Sequence, residues 1–298
     1  MKMNSLLNEI CRGTWMLDSQ YVLGAGEMVS RIMAGELNVM AQKPTSSDPA
    51  LIEAAVVDVY GSDGIKTGRG FDGEIRSGST AVVSMIGPVI KYGDFCTYGA
   101  DELVSFMYKA SRNPNIDEII LYIDSPGGSV NAIAPFIQFG LNNKKPVKVI
   151  VDQACSLGYW AACAMGGSIY MDNTISGTVG SIGVQLSFMD AIPYHEKMGY
   201  KYHRITPDES SEKNLIFEEV LAGNYDRIKK EMLSPMAVQF QDAVRAARPQ
   251  LVEEKGVLNG KTYFYADAMR LGLIDGIASI EQMVQNKKER YEIEELRR

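Results

Sequence analysis

Ser156 stands in Ala154-Cys155-Ser156-Leu157-Gly158-Tyr159-Trp160, between the apolar run 147–151 and a stretch with no charged residue. The pattern predicts a strand, a turn and then a buried helix over 155–165. A serine at that turn has its Oγ at a helix N-terminus. There the positive end of the dipole and the unsatisfied N–H groups favour developing negative charge. Serine is also among the best N-cap residues, so these residues alone fit a nucleophile and a cap equally. The segment is not the G-x-S-x-G elbow, because position 154 is alanine. Cys155 is a rival nucleophile, but no histidine is near it in sequence. It reads as a small buried hydrophobe.

Two further segments suit the same chemistry. In Asp124-Ser125-Pro126-Gly127-Gly128 a glycine pair follows the apolar run 118–123. Backbone N–H groups there can face a ligand with no Cβ in the way and hold an oxyanion. Alone, the segment reads more simply as a tight turn into a helix. The third segment is Gly180-Ser181-Ile182-Gly183-Val184, followed by MGYKYHRITPDESSEKN. A serine nucleophile needs a base. His195 and His203 are the only histidines, and both read as surface residues. Lysine is the other base used with serine, and Lys201 and Lys213 are the candidates here. Burial would have to lower the amine from about 10.4 towards 7–8, a cost on the order of 4 kcal/mol. An ordinary lysine is solvated instead.

Alternating patterns must position these segments. Apolar runs at 81–86, 118–123, 147–151, 169–171 and 184–188 predict strands. Residues 101–111 put Leu103, Phe106, Met107 and Ala110 on one helical face. Helices are also predicted over 131–141 and 155–165, and over 215–248 with a break at Pro235. This is an α/β pattern with parallel pairings and a sheet covered on both faces. Residues 1–75 read as an N-terminal extension with a helical stretch at 21–34 and a Gly-rich linker. Gly68, Gly70 and Gly73 have G-x-G-x-x-G spacing, but no strand precedes them and no helix follows, so a flexible linker is the better reading. Residues 76–285 form the main domain, and 286–298 a charged tail.

Composition narrows the function. The 298 residues are 46% hydrophobic and 22% charged, enough for a large core. Lys plus Arg total 30 and Asp plus Glu 37, a net charge of -7. That argues against nucleic acid as the main partner. Four cysteines without C-x-x-C spacing and two histidines predict no metal, and no cofactor motif is recognised. No window approaches the roughly 20 apolar residues of a membrane span. A soluble protein of the cytosol is expected.

These segments, in this order, resemble the signal peptide peptidase A family of Ser-Lys peptidases, and most closely its phage branch of prohead or capsid-maturation proteases. The likeness runs from about Thr80 to about Val284. It includes AVVSMIGPVIK, LYIDSPGGSVNA, ACSLGYWAA, GSIGV and the late VLNGKTYFYADAMRLGLIDGI. NEICRGTWMLDSQYV is similar to the phage branch more weakly. The resemblance implies a Clp/crotonase-like fold of repeated ββα units. It implies an endopeptidase with Ser156 as nucleophile and a lysine base, working through an acyl-enzyme. Carried over by position, the base is Lys213, 14 residues beyond Gly199. Ser181 orients the lysine, and Gly127, Gly128 and Leu157 form the oxyanion region. Leu157 departs from the glycine often found in membrane-bound members. The implied substrates are scaffold, capsid or signal-peptide-like polypeptides. The implied assembly is a homo-oligomer, and the implied setting is the host cytosol or the inside of a procapsid. Three competitors stand beside this reading. A Clp-type Ser-His-Asp peptidase lacks its histidine here. A crotonase-like acyl-CoA enzyme would use a similar oxyanion hole. A catalytically weak scaffold or assembly protein would keep the same fold.

Overall fold

The structure, a computed structural model, describes residues 14–17, 49–93, 98–188, 190 and 192–285. The apolar runs become the strands of its central sheet. In chain order the strands are β1 (Thr14–Leu17), β2 (Val57–Tyr60), β3 (Lys66–Arg69), β4 (Ser79–Ile86), β5 (Ile116–Ser125), β6 (Gly127–Ser129), β7 (Val147–Cys155), β8 (Ile169–Met171), β9 (Thr178–Gly180), β10 (Gln185–Leu186), β11 (Thr262–Phe264) and β12 (Gly276–Ile277). The helices that position the site are α1 (Pro49–Val56), α2 (Ala100–Arg112), α3 (Ile133–Asn142), α4 (Leu157–Ala164), α5 (Ile192–Lys197), α6 (Leu215–Leu221), α7 (Ser234–Ala247) and α8 (Tyr265–Arg270).

The main sheet runs β11-β9-β7-β5-β4-β2-β3, with β8 also on β7 and β12 on β8. Strands β4, β5, β7, β8 and β9 pair in parallel. One register row, Val83–Leu121–Val149–Ile169, crosses four strands and points into the larger core. The alternate residues Val82, Ile120 and Ile150 point to the other face, where Ala278, Met283 and Val284 cover them. Both faces are thus covered, which is why these strands read as unbroken apolar runs.

Helix α2 carries the predicted stripe: Leu103, Phe106, Met107 and Ala110 are all buried. Asp101 and Glu102 lie in its first turn and Lys109 and Arg112 in its last, as the helix dipole favours. The Glu102 carboxylate accepts the Gly99 N–H at 2.9 Å. The connections repeat one unit: a main-sheet strand, a short strand leaving the sheet, then a helix. β5–β6–α3 and β9–β10–α5 are of this kind, so the α/β architecture with ββα units is observed.

Some expectations change. Residues 49–69, read as extension and linker, supply α1 and the β2–β3 hairpin, and β2 pairs antiparallel with β4. Gly68 lies inside β3. The helical break predicted at Pro235 falls instead at Gly223, which has φ 84°. Pro235 sits at the start of α7, directly after a π-helical stretch over Lys229–Leu233 that runs into it, so the chain stays helical through the proline. Residues 200–205, around Lys201, form no regular element. The helix predicted at 21–34, Cys11, Cys96 and the tail from 286 lie outside the described residues. Among the described residues, no helix is long and apolar enough to cross a membrane.

Candidate active site

The three segments singled out in the sequence meet at one edge of the main sheet. Ser125 of β5 is the register partner of Ala154 of β7, and Cys155 is the partner of Gly180 of β9. The next residues off these adjacent parallel strands are Pro126-Gly127-Gly128, Ser156 and Ser181. Carboxyl ends of parallel strands are where open α/β sheets bind ligands. The edge of β7 makes this possible. Residues 149–151 pair with β8, but 153–155 pair with β9. The change of partner brings Gly180 beside the Ser156 segment, and the Ser156 N–H donates to the Gly180 C=O at 2.8 Å.

The backbone at Ser156 is not that of a simple cap. Ser156 precedes α4 and its C=O accepts the Tyr159 and Trp160 N–H groups. A capping serine has β-region dihedrals and bonds its hydroxyl to the second or third helical N–H. Ser156 instead has φ 54° and ψ -120°, and its side chain makes no cap bond. Such a backbone costs a non-glycine residue about 1–3 kcal/mol. The strain sets the hydroxyl at a sharp strand-to-helix turn without engaging it in the helix. Ser156→Gly should therefore raise the melting temperature, with a gain of about 1 kcal/mol after glycine's entropy cost. A thermal melt beside Ser156→Ala, which keeps the strain and gains nothing, checks this.

Ser181 repeats the pattern with φ 53°. Its N–H donates to the Lys261 C=O at 2.9 Å. Gly180 before it has φ 118°, and a Cβ there would lie 2.6 Å from the Lys261 carbonyl oxygen. The late segment carrying Lys261 thus fixes the second serine.

The glycine pair divides its work. Gly127 has φ 116°. Its N–H donates to Ser125 Oγ at 3.2 Å and its C=O accepts the Val89 N–H at 2.8 Å. The Ser129 N–H donates to the Val89 C=O at 2.9 Å. The polar groups of Gly128, between them in the strand, therefore face the opposite edge. A Cβ on Gly128 would sit 1.9 Å from the Val89 carbonyl oxygen, so only glycine fits. The Leu157 N–H opens α4 and is one of the amides no helical turn can satisfy. Gly128 and Leu157 thus offer donors beside Ser156, while the Gly127 N–H is engaged with Ser125.

Helix α4 is held from several sides. The Tyr159 hydroxyl donates to the Leu273 C=O at 2.7 Å. Trp160 stacks on Phe240 of α7, with ring centroids 4.7 Å apart and planes 5° from parallel. A Cβ on Gly158 would be 3.2 Å from the Ser125 carbonyl oxygen, so the start of α4 lies tight against β5. Burial pushes the Cys163 thiol up to about 12, which leaves it inert. Cys155 is buried at the end of β7, in the place expected of a small hydrophobe.

The lysines stand apart. Lys213 lies in the turn before α6, exposed, with its N–H donating to the Ser210 C=O at 2.9 Å. Lys201 is exposed in a shallow depression with Glu196, Gly199, Tyr200, Tyr202 and His203. His195 is exposed and packs edge-on against Tyr194 and Tyr200, and His203 is exposed too. The single chain therefore gathers Ser156, Ser181, Gly127, Gly128 and Leu157, and leaves Lys213 in solvent. Sequence reasoning missed Val89 and the Lys261 carbonyl. The Gly87-Pro88 step after β4 was the one signal for the first; a backbone carbonyl leaves none.

A strained serine at the carboxyl edge of a parallel sheet is an arrangement that acyl transfer can use. Residues 140–294, more than half of the chain, match peptidase family S49. The chain belongs to peptidase family S49. It is 26% identical over 215 residues to Protease 4 of Haemophilus influenzae, covering 70% of this chain and 34% of that protein. It is 33% identical over 90 residues to Protease 4 of Salmonella typhi, covering 29% of this chain and 15% of that protein. The matched region thus spans about a third or less of these curated relatives. A structure of the membrane-bound stomatin-specific protease 1510-N, a mutant in complex with a substrate peptide, aligns with a TM-score of 0.45 and 14% identity, covering 70% of this chain and 80% of that one.

Proposed function

We propose that this chain is a serine endopeptidase with Ser156 as nucleophile and Lys213 as general base. The observation that carries the reading is the strained turn at Ser156, with its hydroxyl outside the helix cap, on the strand next to the one that ends in the Pro126-Gly127-Gly128 turn. Ser156 Oγ attacks the substrate carbonyl carbon while the neutral Lys213 amine takes its proton. The oxyanion rests against the Gly128 and Leu157 N–H groups, with Gly127 holding the turn. As the tetrahedral species collapses, the C–N bond breaks and the lysine ammonium protonates the leaving amine. Water, deprotonated by the same lysine, then hydrolyses the acyl-enzyme. Ser181 orients the lysine.

Lys213 must leave water to work as a base. The flanking segment carries exposed Phe188, Tyr194, Met198, Tyr200, Tyr202 and Ile205. Such a patch supports a homo-oligomer in which a second copy covers this segment and desolvates the lysine. The substrates proposed are scaffold or capsid polypeptides of a phage or prophage assembling in the host cytosol, on the resemblance of ACSLGYWAA and the late segment to that branch. The base assignment is tested with unfolded casein. Lys213→Met should lower cleavage at least about 10³-fold, the size expected when one member of a catalytic unit is lost, and Lys201→Met should leave it within about threefold. The reverse pattern overturns the assignment of Lys213.

A further inference from the structure

The second, smaller sheet runs β10-β1-β6. Each outer strand continues a segment of the candidate site. β6 begins two residues after β5 ends, and β10 begins five residues after β9 ends. In the main sheet the order is β9-β7-β5, with Ser156 next after β7. The two orders correspond, so β1 occupies the middle of the groove, in line with the strand that delivers the nucleophile. It pairs antiparallel on both sides: Thr14 with Leu186, Trp15 with Gln185 and Ser129, Met16 with Gly128, and Leu17 with Gly127. The Gly128 amide faces this edge, so the Met16 backbone meets the donor assigned above to the oxyanion. Ser156 is only 1% exposed, and Gly127 and Gly128 are buried as well.

We propose that Thr14–Leu17 is a built-in occupant of the peptide groove, holding it closed in the resting chain, and that a substrate must displace it. The inference rests on the site identified under the proposed function. A strand held by main-chain pairing is replaced by any extended peptide that offers the same hydrogen bonds. The ligand class is therefore an unfolded polypeptide segment lying antiparallel to β6. The short length of β1 suits an occupant that yields to a competitor, since it offers few ladder bonds to lose.

The test measures peptide binding, which needs no turnover. A fluorescein-labelled peptide GTWMLDS, copying residues 13–19, is titrated by anisotropy into the full chain carrying Ser156→Ala. Adding Met16→Pro removes the N–H opposite Gly128 and disfavours the strand. The labelled peptide should then bind at least tenfold tighter. In the chain that keeps Ser156, Met16→Pro should raise casein cleavage by a similar factor. Thr14→Cys with Leu186→Cys joins register partners. Oxidised, this variant should refuse the peptide, and reductant should restore binding. The proposal is overturned if Met16→Pro, with an unchanged circular dichroism spectrum, binds no better than its parent. It is equally overturned if the crosslinked chain binds as well as the reduced one, and that arm decides if Met16→Pro does not fold. Tighter binding to Met16→Pro with no cleavage by any form supports the occupied groove and counts against the peptidase reading alone.

Discussion

Ser156→Ala is expected to abolish peptide cleavage, by at least about 10³-fold, with the folded structure retained. The size follows from the role: without Oγ no acyl-enzyme forms, and the amides beside it have no tetrahedral species to stabilise. The retained fold follows from the geometry. The Ser156 hydroxyl makes no helix-cap bond, so its loss removes no support from α4. The Ser156 N–H to Gly180 and the Tyr159 and Trp160 amides to Ser156 are backbone contacts that alanine keeps. Casein digestion read by gel, with a thermal melt of the same samples, checks both halves. Full activity in the variant would remove the serine mechanism. A collapse in stability would restore Ser156 as a structural residue.

Asp275→Asn is expected to be among the most destabilising single changes in the chain, about 3–5 kcal/mol. Arg248 at the end of α7 is 3% exposed and donates to both Asp275 oxygens at 2.7 and 2.8 Å, and to the Gly272 C=O at 2.9 Å. Asp275 also accepts the Ile169 N–H at 2.7 Å, tying β8 to the late segment. An asparagine keeps part of the hydrogen bonding and leaves the guanidinium charge buried without its counter-charge. The affected elements reach the candidate site, because the Leu273 C=O holds Tyr159 of α4. Burial pushes the Asp275 carboxyl up, but the hydrogen bonds from Arg248 and Ile169 outweigh it and hold it below the usual carboxylate range. A depressed carboxylate contributes stability above its unfolded value, about 3.9, and loses it as the pH falls through the folded value. The wild-type advantage over Asp275→Asn in urea unfolding should therefore be full at pH 7 and shrink below about pH 4. An equal difference at pH 7 and pH 3 would contradict the charge pairing.

What the sequence revealed follows from which signals are local. The strands β4, β5 and β7 announced themselves because burial on both faces leaves an uncharged run, and α2 did so through its 3-4 spacing. The serine and glycine segments were legible because each needs its residue types: a hydroxyl at a turn, a glycine at 127 where φ is positive, and a glycine at 128 where a Cβ would strike Val89. Residues 57–60 read as part of the N-terminal extension although they pair with β4 and β3, because a four-residue strand beside Gly-rich turns carries little pattern of its own. Val89 and Lys261 contribute only backbone groups, which any residue supplies, so sequence could not single them out. Lys213 was reached through resemblance alone; it is exposed in the chain, and nothing local in a sequence distinguishes a surface lysine from a base.

The central claim is that Ser156 is the reactive alcohol of this chain. Incubation with a fluorophosphonate, followed by proteolysis and mass spectrometry, tests it most directly. A single phosphonyl adduct on the peptide containing Cys155-Ser156-Leu157 is the predicted result, stronger in Met16→Pro than in the parent and absent from Ser156→Ala. An adduct at another serine, or none on Ser156 in folded Met16→Pro at concentrations where the chain self-associates, would contradict it.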